Sequence, residues 1–116
     1  MQYLLLIYAN EAAAAQSSEA DVKKMHESYR VFTQSIIETG QFKAGDALER
    51  SSNATTVRLR NGKVLTTDGP FAETHEQLGG YYLIEAKNLD DAIKVAARVP
   101  SAQFGSIEVR PIRVFN

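Results

Sequence analysis

The chain has 116 residues, of which 44% are hydrophobic and 23% charged, and this length fits a single domain over residues 1–116 that can bury about 65% of its unfolded surface. Thirteen basic and 14 acidic side chains leave a net charge of -1, so electrostatics favour neither nucleic acid nor a membrane as a partner. The absence of cysteine excludes disulfides, thiolate zinc sites and a cysteine nucleophile.

The first predicted element is a strand in "QYLLLIYA", because this short apolar run lies between polar residues. The run is too short to span a bilayer and lacks the basic region of a signal peptide, which favours a cytoplasmic location. It is apolar at both alternating positions, and strands of this kind are normally covered on both faces. Two helices cover one face of a sheet, so we expect a second copy of the chain to cover the other.

The second predicted element is a long helix. Ser18 and Asp21 form a capping-box pattern, and Gly40 is placed to end the helix in the left-handed conformation. Between them, apolar side chains recur in steps of three and four along one face: Val22, Met25, Tyr29, Phe32 and Ile36. His26 lies one step off this stripe, at its rim. The preceding "NEAAAAQS" is either a mobile connection or an extension of the helix.

A β-hairpin is predicted in "ATTVRLRNGKVLTT", where Asn61 and Gly62 supply a type I′ turn. Arg58 and Arg60 share one face of the hairpin. Such a face is more often solvated than an anion-binding clamp.

The stretch "TTDGPFAETHEQLGG" follows and concentrates turn-forming and titratable residues ahead of an apolar strand. Asp68, before Gly69 and Pro70, is typical of a turn, and its carboxylate is predicted to hold the turn, to act in catalysis, or both. The paired glycines Gly79 and Gly80 favour a β-bulge or a close approach of two backbones. They would also let residues 71–78 move as a flap.

The last predicted elements are the strand "YYLIEA", a helix and the strand "SIEVRPIRVF". Asn88 caps the helix and Pro100 limits it, and its buried face is predicted from Leu89, Ala92, Ile93 and Ala96. Pro111 cannot donate to a strand ladder, so the last strand is at an edge or bulged. The order becomes βαββαβ when the hairpin is removed or one of its strands is counted, which predicts an α+β, ferredoxin-like domain with an extra β-hairpin.

The run from Ala54 to Pro100, together with the later "GSIEVRPI", resembles the DGPF-domain family within the YCII-related domains. The resemblance covers nearly the whole chain and is most specific from Asp68 to Tyr82. It implies a ferredoxin-like fold that pairs into a dimeric α/β barrel, and it implies little about the reaction. Some relatives are fused or linked to extracytoplasmic-function sigma factors, which implies a role near transcription initiation.

The chain departs from this family in its acid–base residues. YCII-type relatives carry a helical histidine, at the position of Tyr29 here, and an aspartate before a proline, at the position of Val99. That dyad therefore does not transfer to this chain. The DGPF motif from Asp68 to Phe71 does transfer, while His75 stands where the family commonly has lysine.

Eight residues are candidates for a functional site. The predicted catalytic residues are Asp68, His26 and Tyr29. The predicted ligand-binding residues are Phe71, Glu73, His75, Tyr82 and Arg110. Each has a structural alternative: His26 is more often a partly buried polar residue at the rim of a helix face, the tyrosines more often pack in a core, and Arg110 more often pairs with Asp68 or Glu85. The acids and His75 match no zinc signature, so neither metal nor cofactor is expected.

The leading expectation is a homodimeric small-molecule-binding protein. By analogy between folds, it extends to a cofactor-free enzyme acting on an apolar or aromatic carbonyl compound. The alternative is a regulatory or interaction module linked to sigma factors, acting without direct contact to nucleic acid, and a third reading is a dimeric fold with no site of its own. An enzyme should have an enclosed, polar-edged cavity with Asp68 directed into it, whereas an interaction module should have a filled core and an exposed apolar patch.

Overall fold

The computed structural model describes residues 1–115, which form six strands and three helices. The strands are β1 (Gln2–Ala9), β2 (Phe42–Ala47), β3 (Thr55–Arg60), β4 (Lys63–Asp68), β5 (Gln77–Glu85) and β6 (Ser106–Pro111). The helices are α1 (Glu11–Ala14), α2 (Glu19–Glu38) and α3 (Leu89–Arg98). Within these residues, no helix is both long and apolar enough to cross a membrane.

Four strands form one antiparallel sheet in the order β2-β5-β1-β6, and β3 and β4 form a separate two-stranded sheet. The predicted mixed α+β class is confirmed, and the described part of the chain forms no closed barrel. The strand with Pro111 lies at the sheet edge, as predicted. β2 was not predicted, because "FKAGDA" has a single large apolar residue and includes glycine and aspartate, which strands disfavour. Both hairpin strands are therefore additional to the main sheet.

The core lies between one face of the main sheet and the two longer helices. Tyr3, Leu5 and Ile7 alternate along β1 and are buried, together with Tyr82 and Ile84 of β5. The helices contribute Phe32, Ile36, Ala92, Val95 and Ala96, and Val99 joins them directly after the end of α3. This single core is what anchors α2 over the sheet.

The predicted helix faces are correct in part. Phe32 and Ile36 are buried in α2, whereas Val22 is exposed in its first turn. In α3, Leu89 and Ile93 are exposed, so their predicted burial is wrong. The buried stripe of α3 instead consists of Ala92, Val95 and Ala96, which share one side of the helix at steps of three and four. Val99 is buried directly after the helix ends.

The predicted local signals are confirmed. The Ser18 hydroxyl accepts a hydrogen bond from the Asp21 N–H at 3.1 Å, and Asn88 caps α3 in the same way. Gly40 has φ of +76°, and Asn61 and Gly62 both have positive φ in the hairpin turn. "NEAAAAQS" does not extend α2, because Asn10 caps the separate short helix α1, and the predicted mobility of this segment stays a prediction.

The outer face of the main sheet, which points away from the core, is apolar at its centre. Its central side chains are all half-buried: Leu4, Leu6, Tyr8, Leu78, Tyr81 and Leu83. Together they are the outer sheet face. Coverage of this face by a second copy remains a prediction.

The β3–β4 hairpin, residues 55–68, is the arm of the molecule. Eleven of its twelve strand residues are exposed, and Thr56 is half-buried. The radius of gyration is 16.2 Å, compared with about 13 Å for a compact chain of this length. The extents of 48 × 48 × 19 Å describe a flat molecule.

Candidate functional site

A cavity of about 490 Å³ lies between α2 and the main sheet. We name it the helix–sheet cavity. Tyr29 and Thr33 reach it from α2, Tyr82 from β5, and Ser101 from the turn after α3. Tyr29 and Thr33 are four residues apart, so they point to the same side of the helix.

Two hydrogen-bonded hydroxyl pairs form at this cavity. The Tyr29 Oη lies 2.6 Å from the Ser101 Oγ, and the Thr33 Oγ1 lies 2.6 Å from the Tyr82 Oη. Burial raises the pKa of Tyr29, against the opposing effect of its hydrogen bond to Ser101. Burial likewise raises the pKa of Tyr82. Both phenols are therefore protonated near neutral pH and can exchange hydrogen bonds with a bound molecule, but they do not serve as phenolate bases.

The Tyr82 ring is held in place by its neighbours. It makes edge contacts with Phe32 and Phe42, with ring centroids 5.3 and 6.2 Å away. Gly45 of β2 lies against the same ring, and a Cβ at this position would be 2.7 Å from the Tyr82 Cδ1. Only glycine leaves this space, so the sequence of β2 helps to position a cavity side chain.

The β-bulge and the close backbone approach predicted for the paired glycines at the start of β5 are confirmed, and movement of residues 71–78 as a flap stays a prediction. The β1–β5 register shifts there, since Ile7 pairs with Gly80 and Tyr8 with Leu78. Gly79 is the extra residue of this β-bulge. A Cβ at Gly80 would lie 3.0 Å from the Asp46 carbonyl oxygen, which shows the close approach of the backbones of β5 and β2.

The structure brings three of the eight candidate residues together. His26, Tyr29 and Tyr82 all line the helix–sheet cavity. His26 is exposed, so the structural alternative of a partly buried residue at the rim of the helix face is wrong, although His26 does line the cavity. His26 is the exposed member of the three, whereas Tyr29 is half-buried and Tyr82 is buried.

Two other candidates line a second, larger concavity. A groove of about 810 Å³ lies at the root of the arm, and Phe71 and Glu73 line it beside Tyr8 and Leu78 of the outer sheet face. We name it the arm-root groove. Its wall is tied to α1, because the Glu11 carboxylate accepts hydrogen bonds from the Ser51 N–H at 2.8 Å and the Ser51 hydroxyl at 2.7 Å. The DGPF loop therefore faces a different concavity from the one beneath α2.

Asp68 and His75 are both exposed and line neither of these two concavities. The turn after Asp68 is formed by the backbone: Gly69 has φ of +93°, and its N–H donates to the Ala54 carbonyl. The Thr56 hydroxyl donates to the Gly69 carbonyl at 2.8 Å. The expectation that Asp68 is directed into an enclosed cavity is therefore not met.

Arg110 forms an ion pair, but with a different acid from those predicted. Its guanidinium lies 3.0 Å from the Glu108 carboxylate, and both side chains are exposed. Glu108 and Arg110 are two residues apart and so share one face of β6. The predicted alternative partner Glu85 instead contacts the N-terminal amino group at 3.2 Å.

Sequence reasoning missed several residues of the helix–sheet cavity. Thr33 had a usable signal, since it follows Tyr29 by four residues on the same helix. Ser101 and Gly45 had none, because their roles depend on contacts with residues 72 and 37 positions away. Asp46 accepts a hydrogen bond from Tyr81 at 2.8 Å, which raises the pKa of Tyr81.

In residues 1–115, no three histidine, aspartate or glutamate side chains are grouped so that they could hold a metal ion.

These features define a small mixed α+β domain with a hydroxyl-edged cavity beneath its long helix. The family model of the YCII-related domain matches residues 1–116. The chain is also 32% identical over 118 residues to "Uncharacterized protein R00369" of Rhizobium meliloti (strain 1021), with 100% of this chain and 95% of that relative covered. The chain belongs to the YCII-related domain family.

Proposed function

We propose that the protein binds a small, largely apolar carbonyl compound in the helix–sheet cavity and acts as a homodimer in the cytoplasm. The observation that carries the proposal is the pair of protonated tyrosine hydroxyls, Tyr29 and Tyr82, at the edge of one cavity. The motif from Asp68 to Phe71 supports placing the chain in the narrower DGPF group of its family.

The size and lining of the cavity support this class of ligand. Its volume of about 490 Å³ falls within the range typical of small-molecule sites. Neither lysine nor arginine is among the described residues that line it, so nothing there would compensate a strongly anionic ligand. A carbonyl oxygen can instead accept a hydrogen bond from a phenol that already has one hydroxyl partner.

A catalytic extension depends on His26. This residue lines the cavity, and its imidazole is of the type that can accept a proton from a bound molecule. With a phenol polarising the carbonyl oxygen, the corresponding reaction class is proton abstraction next to that carbonyl. This chemistry would need no bound cofactor.

The homodimer is supported by an excess of surface. The accessible surface is 8515 Å², whereas a compact monomer of this mass exposes about 6,300 Å². Strand order β2-β5-β1-β6 with a βαββαβ succession supports the ferredoxin-like plan. Two such sheets packed through their outer faces would form the dimeric α/β barrel.

The test measures binding of a panel of aromatic ketones and aldehydes by thermal shift and calorimetry. We expect one or more of them to raise the melting temperature of the wild type. Tyr29→Phe and Tyr82→Phe should each weaken the binding by roughly tenfold, as for loss of one hydrogen bond.

Tyr3→Phe is the matched control. It removes a hydroxyl from a buried tyrosine that lies outside the cavity and contacts the Met1 Sδ at 3.7 Å. Equal loss of binding in all three variants, or no binding by the wild type, would exclude this site. The latter result would turn attention to the regulatory alternative linked to sigma factors.

A further inference from the structure

The two faces of the arm differ in chemistry. Because cross-strand partners point to the same side of a two-stranded sheet, the pairing of Leu59 with Val64 and of Val57 with Thr66 assembles one face. The apolar face of the arm is formed by Val57, Leu59, Val64 and Thr66, and the same side carries Thr55 and Asp68 at the root of the arm. The opposite face carries the three basic side chains of the arm: Arg58, Arg60 and Lys63.

The apolar face of the arm is exposed in the single chain. Val57 and Leu59 are each 63% exposed and Val64 is 68% exposed. The type I′ turn specifies the shape of the hairpin locally, but an isolated two-stranded hairpin is only marginally stable in water. A well-formed arm therefore calls for a surface against which this face can pack.

The accessible area of the chain indicates how much of its surface a partner could cover. The chain exposes 8515 Å², roughly 2,200 Å² more than a compact monomer of its mass. A standard interface buries about 800 Å² on each partner. Contact through the outer sheet face alone would therefore leave much of the excess uncovered, and the arm is one region beside that face where exposed apolar side chains remain.

The arm and the outer sheet face are continuous at the arm-root groove. Thr55 and Thr56 of the arm line this groove together with Tyr8 and Leu78 of the outer sheet face. The arm leaves the body at the end of the sheet where β1 finishes and β5 begins. A second copy seated on the outer sheet face would therefore lie beside the arm.

We propose that the arm of each copy clasps the second copy, with its apolar face inward and its basic face toward solvent. The clasp rests on the homodimer proposed above. In a two-fold dimer each chain gives one arm and receives one, so the contact is made twice. The net charge of -1 per chain opposes this association only weakly.

The test compares two cross-strand pairs in the arm. Leu59→Thr with Val64→Thr removes apolar area from the inward face, and Arg58→Thr with Leu65→Thr changes the outward face at the adjacent pair. Threonine preserves strand propensity in both. We expect the inward pair to raise the dimer dissociation constant about 100-fold or more in sedimentation equilibrium, since four apolar side chains per dimer lose buried area. The outward pair should change it by less than about threefold.

Hydrogen exchange of the arm amides supplies the second measurement. We expect residues 55–68 to be protected in the wild-type dimer and to lose protection in Leu6→Glu, which places a charge on the outer sheet face and should give a monomer. Unprotected arm amides in a wild-type dimer, or equal effects of the two pairs on dissociation, would overturn the clasp and leave the homodimer standing. A wild type that is monomeric at micromolar concentration would overturn both.

Discussion

β1 and β3 are strands in opposite surroundings, and each has a face of apolar residues, although β1 is apolar on its other face as well. Leu5 in β1 is 0% exposed, whereas Leu59 in β3 is 63% exposed. Both lie on a face of alternating apolar residues, and both pair with an antiparallel neighbour. The difference is that α2 and α3 cover the inner face of β1, while nothing in residues 1–115 covers the arm. Alternation therefore specifies which side of a strand is apolar, but the chain itself buries only one of these two faces.

The largest effect is expected at the buried face of β1. Leu5→Ala should lower the free energy of unfolding by about 2–5 kcal/mol, since it opens a cavity among close-packed side chains. Leu59→Ala in the arm should lower the stability of the isolated monomer by less than about 1 kcal/mol. Urea denaturation of both variants in the Leu6→Glu background measures the difference, and similar losses would show that the arm packs within its own chain.

The next effect concerns the wall of the helix–sheet cavity. Gly45→Ala should destabilise the protein by about 1–3 kcal/mol, because the new Cβ would meet the Tyr82 ring at 2.7 Å. Gly79→Ala is the control, since a Cβ there meets nothing within 4 Å. Thermal denaturation compares the two, and a Gly45→Ala protein as stable as the control would mean that the ring can move aside.

A smaller effect distinguishes the cavity phenols by pH. Burial holds the pKa of Tyr29 and of Tyr82 above the ordinary value of 10.0. The unfolded chain therefore releases these protons first, so stability is full below pH 10 and declines as pH rises above it. Above pH 10, the melting temperature of the double variant Tyr29→Phe/Tyr82→Phe should fall less steeply with rising pH than that of the wild type. An unchanged slope would mean that other groups govern the alkaline transition.

The smallest effect concerns the hydrogen bonds between Glu11 of α1 and Ser51 at the wall of the arm-root groove. Hydrogen bonding by Ser51 lowers the pKa of Glu11 below its ordinary value of 4.5. The ionised Glu11 carboxylate therefore stabilises the folded state fully above pH 4.5, and this stabilisation is lost as the pH falls through the lower folded-state pKa. Glu11→Gln should cost less than about 1 kcal/mol at neutral pH. The variant should also narrow the stability difference between pH 7 and pH 3 in denaturant titrations, with Glu19→Gln as an exposed control.

The local features of the fold were predictable, and the long-range ones were not. Ser18, Gly40 and the turn at Asn61 act through their immediate neighbours, so their sequence signals were sufficient. β2 escaped prediction because an edge strand beside β5 is held by pairing with residues about 40 positions away. Its glycine and aspartate weaken the local pattern.

The candidate site shows the same limit. Tyr29 and Tyr82 were found because tyrosines on strongly patterned elements stand out, and His26 because its offset from the helix stripe could be counted. Their hydroxyl partner Ser101 is brought in by the packing of the turn after α3 against α2, which no local pattern encodes. The dense chemistry of the loop from Asp68 to Phe71 stays a prediction of a functional site, and Asp68 lies apart from the helix–sheet cavity.

The basic side chains of the arm also bear on solubility. Both strands of a two-stranded sheet have a free edge, and free edges invite pairing with other molecules into larger β-aggregates. Arg58, Arg60 and Lys63 place like charges along that ribbon, and Pro111 removes a donor from the exposed edge of the main sheet. Repulsion and a missing hydrogen bond thus discourage open-ended stacking of many chains, which is compatible with the closed pair of chains proposed above.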